Sequence, residues 1–561
     1  MAEKHPPFEI GLVMAGAVSA GAYTSGVIDF LFEALDQWYL QKNAQQQQYG
    51  DDFAQWEIPP HDVSIKAMSG ASAGAIVASL TASSLYGEMV PVIEDPKNQS
   101  VKNQLYTSWV QRIDISHFLK AHDLENPQSP VLSFLDSTIL KDIAQDVLKR
   151  EPLRAPRPYV ADPLHIYLCV TNLRGVPYVI QAQTANANIP GHLMIKHADY
   201  MHFTIGQNRT TANGAIALNP DKSDTDNWQL LINAALASSA FPIGLAPQQL
   251  ERDSINYYDN RLWEMLVCGG DANQSSKSGF RTIIPNKKDL VSEVPYKFTS
   301  VDGGIISNEP IELVRAALRG NEERNPQDAR QAKRATLLID PFPNDVNAVN
   351  PDNNLLSLVS RMFRSLVNQV RFKPDELILA MEENIYSRFL IAPERSGRPV
   401  DKPLACGSVN AFGGFLSHEF RHHDYILGRR NCQRFLQKHF VLSADNPLFN
   451  SWSESLKNNP KWQVQAAGET DSFLPIIPLV GSATKVVNLP AWPQYRHDNL
   501  RVLEQQIEKR MQVIIPRLIN LSINDGFTRN VLNFLWFMKR GRLVNTIKSQ
   551  IEANLRKYGQ L

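Results

Sequence analysis

The chain has 561 residues, of which 43% are hydrophobic and 20% charged, and its 57 basic and 57 acidic residues balance to zero formal charge. This composition is typical of a soluble globular protein, long enough for two domains or one enlarged domain, and the zero charge argues against a nucleic-acid partner. The first residues show no export signal, and no run of 18 apolar residues occurs. We therefore expect a cytoplasmic protein without a membrane-spanning helix.

Strand-like and helix-like patterns alternate along the chain up to about residue 345. A strand-like pattern at 8–15 precedes a helical pattern at 20–38, and a second strand at 63–68 precedes a helix that begins at Ala73. Further strand-like patterns occur at 165–172, 297–304 and 334–341. This alternation predicts an α/β fold with a mainly parallel sheet covered by helices on both faces.

The pattern changes near residue 345. Apolar residues recur at helical spacing in 354–370, and the stretches 429–440 and 499–515 also have helical patterns. We therefore predict an α/β unit over residues 8–345 and a mostly helical region over 346–561 that packs on it.

A lone serine, Ser72, lies between Gly70 and Gly74 in the stretch KAMSGASAGAIVASL. The stretch predicts a strand, a sharp turn and an Ala-rich helix, which is the setting of a nucleophilic serine at the positive end of a helix. A serine that caps the helix fits the same pattern, so both interpretations stay open at this point.

Two other stretches could complete an active site. In MAGAVSAGAYTSGV, at 14–27, small residues follow a strand, so the backbone amides around Gly16 to Val18 can approach a ligand. In VDGGIISNEP, at 301–310, Asp302 ends a predicted strand and precedes Gly303 and Gly304. Taken singly, each stretch is equally compatible with an ordinary tight turn.

The three stretches together resemble the patatin-like phospholipase family, of the bacterial patatin-related type. In that family a glycine-rich loop, a Gly-x-Ser-x-Gly motif and an Asp-Gly-Gly motif follow one another in this order, and the resemblance covers about residues 8–345. It implies a three-layer fold and a serine hydrolase for lipid esters, of phospholipase or lysophospholipase type. The residues it implies for the site are the nucleophile Ser72, the base Asp302, and oxyanion-binding amides at Gly16, Ala17, Val18 and Ala73.

The glycine-rich loop departs from the family pattern. It reads Gly-Ala-Val-Ser-Ala-Gly at 16–21, and Ala20 stands where the family usually has a basic residue. The departure leaves open a weakly active or inactive scaffold that binds lipid or a partner. An ordinary α/β-hydrolase with a Ser-Asp-His triad is a further alternative, but Ser72 follows only the second predicted strand, which is early for that fold.

The stretch HEFRH at 418–422 has the spacing of a zinc-binding helix. Arg421, however, is charged where zinc proteases keep an uncharged residue, and no third ligand is evident downstream. We interpret the stretch as part of a polar helix, and we expect neither a metal nor an organic cofactor.

Residues 529–561 contain seven basic residues and one acid, Glu552, together with the aromatic residues Phe534, Trp536 and Phe537. Such a segment could lie on an anionic lipid surface, which would make the protein peripheral to a membrane. A buried helix with a solvated basic end is the alternative.

Overall fold

The computed structural model describes residues 5–97, 99–126, 128–146, 148, 156–180, 192–253, 257–258, 264–267, 279–282, 294–320, 325–343, 365, 385–464, 472–523 and 525–561. The α-helices are α1 (Gly21–Tyr49), α2 (Ala73–Leu85), α3 (Gln104–Tyr106), α4 (Ile115–Phe118), α5 (Thr138–Asp146), α6 (Thr225–Ser238), α7 (Ile311–Arg319), α8 (Gly413–Leu416), α9 (His418–Lys438), α10 (Glu454–Lys457), α11 (His497–Ser522) and α12 (Gly526–Lys557). A π-helix, Thr107–Arg112, follows α3.

The strands are β1 (Phe8–Met14), β2 (Val63–Gly70), β3 (Val160–Ile180), β4 (His192–Ile205), β5 (Ile216–Leu218), β6 (Gln248–Arg252), β7 (Glu264–Val267), β8 (Gly279–Thr282), β9 (Tyr296–Asp302), β10 (Arg334–Ile339), β11 (Arg388–Ile391), β12 (Val441–Ser443) and β13 (Phe473–Pro475). The large sheet has the order β11-β10-β1-β2-β3-β4-β5, with β9 also paired to β3 and β6 paired to β9. The pairs from β11 to β3 are parallel, whereas β4, β6 and β9 are joined antiparallel to their neighbours β3 or β9. The prediction of a mostly parallel sheet is confirmed.

The two faces of the sheet bury separate hydrophobic clusters. On one face, Ile10 and Leu12 of β1 belong to a large cluster that includes α1 and α2. On the other face, Val13 packs with Val314 and Leu318 of α7. Because side chains alternate along a strand, β1 contacts helices on both sides, which gives the three-layer arrangement.

The region after residue 345 joins the same sheet and the same core. Strand β11 pairs in parallel with β10, and α9 packs against α1 with its buried face. The helices predicted at 429–440 and 499–515 are confirmed as parts of α9 and α11. Apart from residue 365, the helix predicted at 354–370 lies outside the described residues, and the division near residue 345 stays a prediction.

No helix in the described part of the chain is long and apolar enough to cross a membrane.

Candidate active site

Ser72 occupies the sharp turn between β2 and α2. Its backbone has φ 53° and ψ −126°, which is strained for a residue with a side chain. The turn requires glycine at position 74, because a Cβ there would lie 2.1 Å from the backbone oxygen of Met14. Ser72 precedes α2, but its side chain makes no capping hydrogen bond to the helix. The helix-cap interpretation is therefore not what the structure shows.

The hydroxyl of Ser72 is bonded instead to a carboxylate 230 positions away. Ser72 Oγ donates a hydrogen bond of 2.6 Å to Asp302 Oδ2, and the amide of Gly304 donates one of 2.7 Å to Asp302 Oδ1. The backbone of Asp302 is fixed by a hydrogen bond from Thr171 Oγ1 to its carbonyl oxygen, at 2.8 Å. Both carboxylate oxygens are thus held, with Oδ2 directed at Ser72.

Burial sets the acidity of this carboxylate. Ser72 is 9% exposed and Asp302 is 3% exposed. Loss of hydration raises the pKa of Asp302 to about 7, although the hydrogen bonds from Ser72 and Gly304 act to lower it. A carboxyl group with this pKa can exchange a proton near neutral pH, as a general base requires.

The glycine-rich loop lies against Ser72, since a Cβ on Gly16 would be 3.1 Å from Ser72 Cβ. The amide of Gly16 already donates to the carbonyl oxygen of Asn308 at 3.2 Å. Val18 has φ 48°, an unusual backbone conformation for a β-branched residue. Within the described residues, no acceptor is bonded to the amides of Ala17, Val18 and Ala73, so these amides are available to an incoming ligand.

A mainly apolar pocket opens beside Ser72 and Asp302. Its walls come from the glycine-rich loop, α2, the segment 109–140, the segment 239–245 and α8 with the residue before it. The hydrophobic side chains that line it are Val18, Ile76, Trp109, Ile113, Phe118, Leu135, Leu140, Phe241, Leu245, Phe412 and Phe415. Such a lining suits a hydrocarbon chain with its polar end at the serine.

The loop that precedes α8 holds the glycine-rich loop in place. The amide of Ser19 donates to the carbonyl oxygen of Ala411 at 3.2 Å, and the Ser19 hydroxyl donates to the same oxygen while it accepts from the amide of Gly414. The carboxylate of Asp424 in turn accepts hydrogen bonds from the amides of Ala405 and Cys406. This support could not be predicted from the sequence, because residues 405–416 carry no motif and lie almost 400 positions from Ser19.

The HEFRH stretch forms the first turn of α9, which confirms the predicted helix. His418 Nε2 lies 3.2 Å from Asp95 Oδ1, and His422 Nδ1 lies 3.0 Å from the hydroxyl of Tyr106. Burial lowers the pKa of His422 to about 4. Among the described residues, no three potential metal ligands gather in one place, and neither histidine lines the pocket at Ser72.

Arg421 explains the polar character of this turn. Its guanidinium is buried, donates to the carbonyl oxygens of Val110 and Gly414, and pairs with Asp114. The stretch therefore joins α9 to the π-helix and to α8, two elements that form walls of the pocket.

The three-layer fold with a serine at a strand-helix turn, together with the sequence comparison, places the protein among the lipid acyl hydrolases. A sequence model described as patatin-like phospholipase matches residues 12–315. The chain belongs to the patatin-like phospholipase family.

A relative from Sinorhizobium fredii, the uncharacterized protein y4iI, is 33% identical over 599 aligned positions, which cover 97% of this chain and 80% of the relative. Among solved structures, the chain is similar to VipD from Legionella pneumophila, known from a crystal structure, at 12% identity. The similarity covers 98% of this chain and 88% of VipD, with a TM-score of 0.22.

Proposed function

We propose that the protein is a serine hydrolase that cleaves carboxylic ester bonds of phospholipids or lysophospholipids with a Ser72–Asp302 dyad. The observation that carries the proposal is the 2.6 Å hydrogen bond between Ser72 Oγ and a buried carboxylate at the wall of an apolar pocket. A serine becomes a nucleophile when an adjacent base accepts its proton, and Asp302 is placed to do this.

In the first half of the reaction, Ser72 Oγ attacks the ester carbonyl carbon while Asp302 Oδ2 accepts the hydroxyl proton. The carbonyl π-electrons move onto oxygen, and the amides of Ala17, Val18 and Ala73 can donate to that oxyanion. When the intermediate collapses, the bond to the leaving alcohol breaks and Asp302 returns the proton to the alcohol oxygen. The product is an acyl ester on Ser72.

In the second half, water attacks the acyl carbon while Asp302 accepts its proton. Collapse of this second intermediate breaks the bond to Ser72, and the proton passes from Asp302 back to Ser72 Oγ. The released product is the free fatty acid. One carboxylate thus serves as base and acid in alternation, and a pKa near 7 suits both roles.

Two observations favour the second candidate, a weakly active or inactive lipid-binding scaffold. The amide of Gly16 is occupied by the carbonyl oxygen of Asn308, and the basic residue common in the family is replaced by Ala20. Both features reduce the number of groups that can stabilise an oxyanion. A fluorophosphonate probe distinguishes the candidates, because a competent serine reacts covalently and a scaffold does not.

The hydrolase proposal is tested by incubating a mixed lipid extract with the wild type and with Ser72→Ala. We expect free fatty acids to be released by the wild type alone, as measured by mass spectrometry. Ser79→Ala is a matched control, because Ser79 lies buried on the same helix and, among the described residues, its hydroxyl bonds only to the backbone oxygen of Ala75 in that helix. Equal release by wild type and Ser72→Ala would overturn the proposal.

A further inference from the structure

Helices α11 and α12 form a hairpin that exposes an unusual amount of apolar surface. The side chains turned to solvent, which we call the hairpin patch, are Leu521 (55% exposed), Phe527 (79%), Val531 (40%), Phe534 (63%), Leu535 (43%), Phe537 (60%), Met538 (64%) and Leu543 (43%). Soluble proteins rarely expose so many neighbouring large apolar residues unless the surface binds something.

Basic residues border the hairpin patch, and two of them have no acidic partner within the described part of the chain. Two ion pairs join the helices to one another, Arg540 with Glu508 and Lys548 with Glu504. Lys539 and Arg542 are exposed, and no acidic group among the described residues lies within ion-pair distance of either. The hairpin patch therefore combines apolar area with uncompensated positive charge.

Helix α11 fixes the hairpin to a segment that lines the pocket, since Leu135 of this segment is one of the lining residues. Arg510 of α11 is buried, donates to the carbonyl oxygen of Phe134 at 3.0 Å, and pairs with Asp123. The amide of Phe134 in turn donates to the carbonyl oxygen of Ile243 at 2.8 Å.

Around this contact, the two wall segments 109–140 and 239–245 expose a second group of apolar side chains. We call this group the rim, and it consists of Leu132 (56% exposed), Phe134 (40%), Phe241 (41%) and Ile243 (73%). Since Phe241 also lines the pocket, the rim connects the interior of the pocket with the outer surface that carries the hairpin.

We propose that the hairpin patch and the rim form one docking surface for an anionic lipid membrane. Apolar side chains enter the boundary between headgroups and acyl chains, while nearby cations attract anionic headgroups. A second copy of the chain fits this surface less well. A two-fold contact would bring Lys539 and Arg542 of both copies into one interface and concentrate positive charge there, whereas anionic lipids neutralise them.

The test uses the full-length Ser72→Ala chain, so that binding is measured without hydrolysis and independently of the proposed dyad. We expect it to cosediment with vesicles of phosphatidylcholine and phosphatidylserine, and much less with phosphatidylcholine alone. The double variant Phe534→Ser, Phe537→Ser should weaken binding at least about tenfold, because it removes two rings that the membrane would bury. The matched control is the double variant Leu40→Ser, Val486→Ser, which removes apolar side chains of similar exposure, 64% and 63%, outside the proposed docking surface.

Two further double variants separate the contribution of the positive charges to vesicle binding from that of the rim. Lys539→Gln with Arg542→Gln should weaken binding about fivefold for each charge, and only when phosphatidylserine is present. Leu132→Ser with Ile243→Ser should weaken binding to both kinds of vesicle. Circular dichroism and melting temperature check that each variant is folded.

The proposal is overturned if the folded Phe534→Ser, Phe537→Ser variant binds vesicles as tightly as the control. It is also overturned if the parent chain elutes as a dimer that this variant dissociates while vesicle binding stays unchanged. The hairpin patch would then be an interface between two copies of the chain.

Discussion

The Ser72 turn and the start of α9 both carry residues at a spacing typical of a catalytic site, but the fold surrounds them differently. At Ser72, a carboxylate from β9 and a glycine-rich loop after β1 meet the hydroxyl beside an apolar pocket. At α9, His418 bonds to Asp95 and His422 bonds to Tyr106. Tyr106 also donates to Asp95, so the two histidines belong to one polar network, and this network does not line the pocket. The comparison teaches that a motif gains chemical meaning when distant elements bring it both a reactive partner and a pocket for a substrate.

The residues at the start of α9, and Gly428 in the same helix, are explained by their packing contacts. Helices α1 and α9 cross at Gly26 and Gly428, where the backbone of each helix approaches the other closely. Arg421 further ties the first turn of α9 to the walls of the pocket. The helix thus supports the site without contributing a reacting group.

The largest expected effect is at the base. Asp302→Asn is nearly isosteric but cannot accept the proton of Ser72, so kcat/KM for a short-chain ester should fall by about two to four orders of magnitude. Asp51→Asn, at an exposed position, is the control and should leave activity near wild type. Activity within about tenfold of wild type in a folded Asp302→Asn would show that another residue is the base.

The pH dependence of kcat/KM also tests Asp302 as the base. Because burial raises the pKa of Asp302 to about 7, the reactive carboxylate is scarce in acid. The ratio kcat/KM should therefore rise about tenfold per pH unit below this value and level off above it. Steady-state rates of a short-chain ester measure the profile, and a flat profile below neutral pH contradicts the assignment.

The contribution of Asp302 to the stability of the fold should fall as pH rises, whereas kcat/KM should increase. The folded state holds the Asp302 proton more tightly than the unfolded state, whose pKa is the ordinary one. The group's contribution to stability is therefore full below that ordinary pKa and is lost as pH rises through about 7. The difference in melting temperature between Asp302→Asn and wild type should grow from acid to alkaline pH. A constant difference would argue against a raised pKa.

The packing role of α9 predicts a smaller effect, on stability. A Cβ on Gly428 would lie 2.2 Å from the backbone oxygen of Tyr23, so Gly428→Ala should lower the free energy of unfolding by about 1–3 kcal/mol. Gly541 of α12 is the matched control, because nothing lies near its Cβ direction, and Gly541→Ala should add about 0.5–1 kcal/mol. Denaturant titration measures both, and equal changes would contradict the packing role.

The smallest effect is expected at the histidines. His418→Gln and His422→Gln should each hydrolyse a short-chain ester at nearly the wild-type rate, and a chelator should not inhibit. The purified protein should contain no stoichiometric zinc, as measured by metal analysis. Activity of either folded variant as low as that of Ser72→Ala, or one zinc per chain, would show that the start of α9 has a catalytic or metal-binding role.

Much of the site could be predicted because its motifs are local. Gly70, Ser72 and Gly74 fix a turn within a few residues, and Asp302 ends a strand, so the sequence marked both residues as candidates. Their roles as nucleophile and base were implied by the resemblance to the patatin-like family, because each stretch alone also fits an ordinary turn. The occupied amide of Gly16 could not be predicted, since its acceptor on Asn308 depends on how β1 and the loop after β9 meet.

The fold after residue 345 was less predictable for the same reason. Strand β11 is only four residues long and finds its place by pairing with β10, which its own sequence does not encode. The contacts of Ser19 with Ala411, and the pocket walls formed by Phe412 and Phe415, depend on tertiary packing across nearly 400 positions. Hydrophobic periodicity contains no information about such pairings.

The most direct test of the dyad is the site and rate of covalent labelling by a fluorophosphonate. Peptide mass spectrometry should find the adduct on Ser72 in the wild type, no adduct in Ser72→Ala, and labelling slowed by orders of magnitude in Asp302→Asn. An adduct on any other residue, or a labelling rate in folded Asp302→Asn equal to that of the wild type, would contradict the assignment of Ser72 as nucleophile and Asp302 as its base.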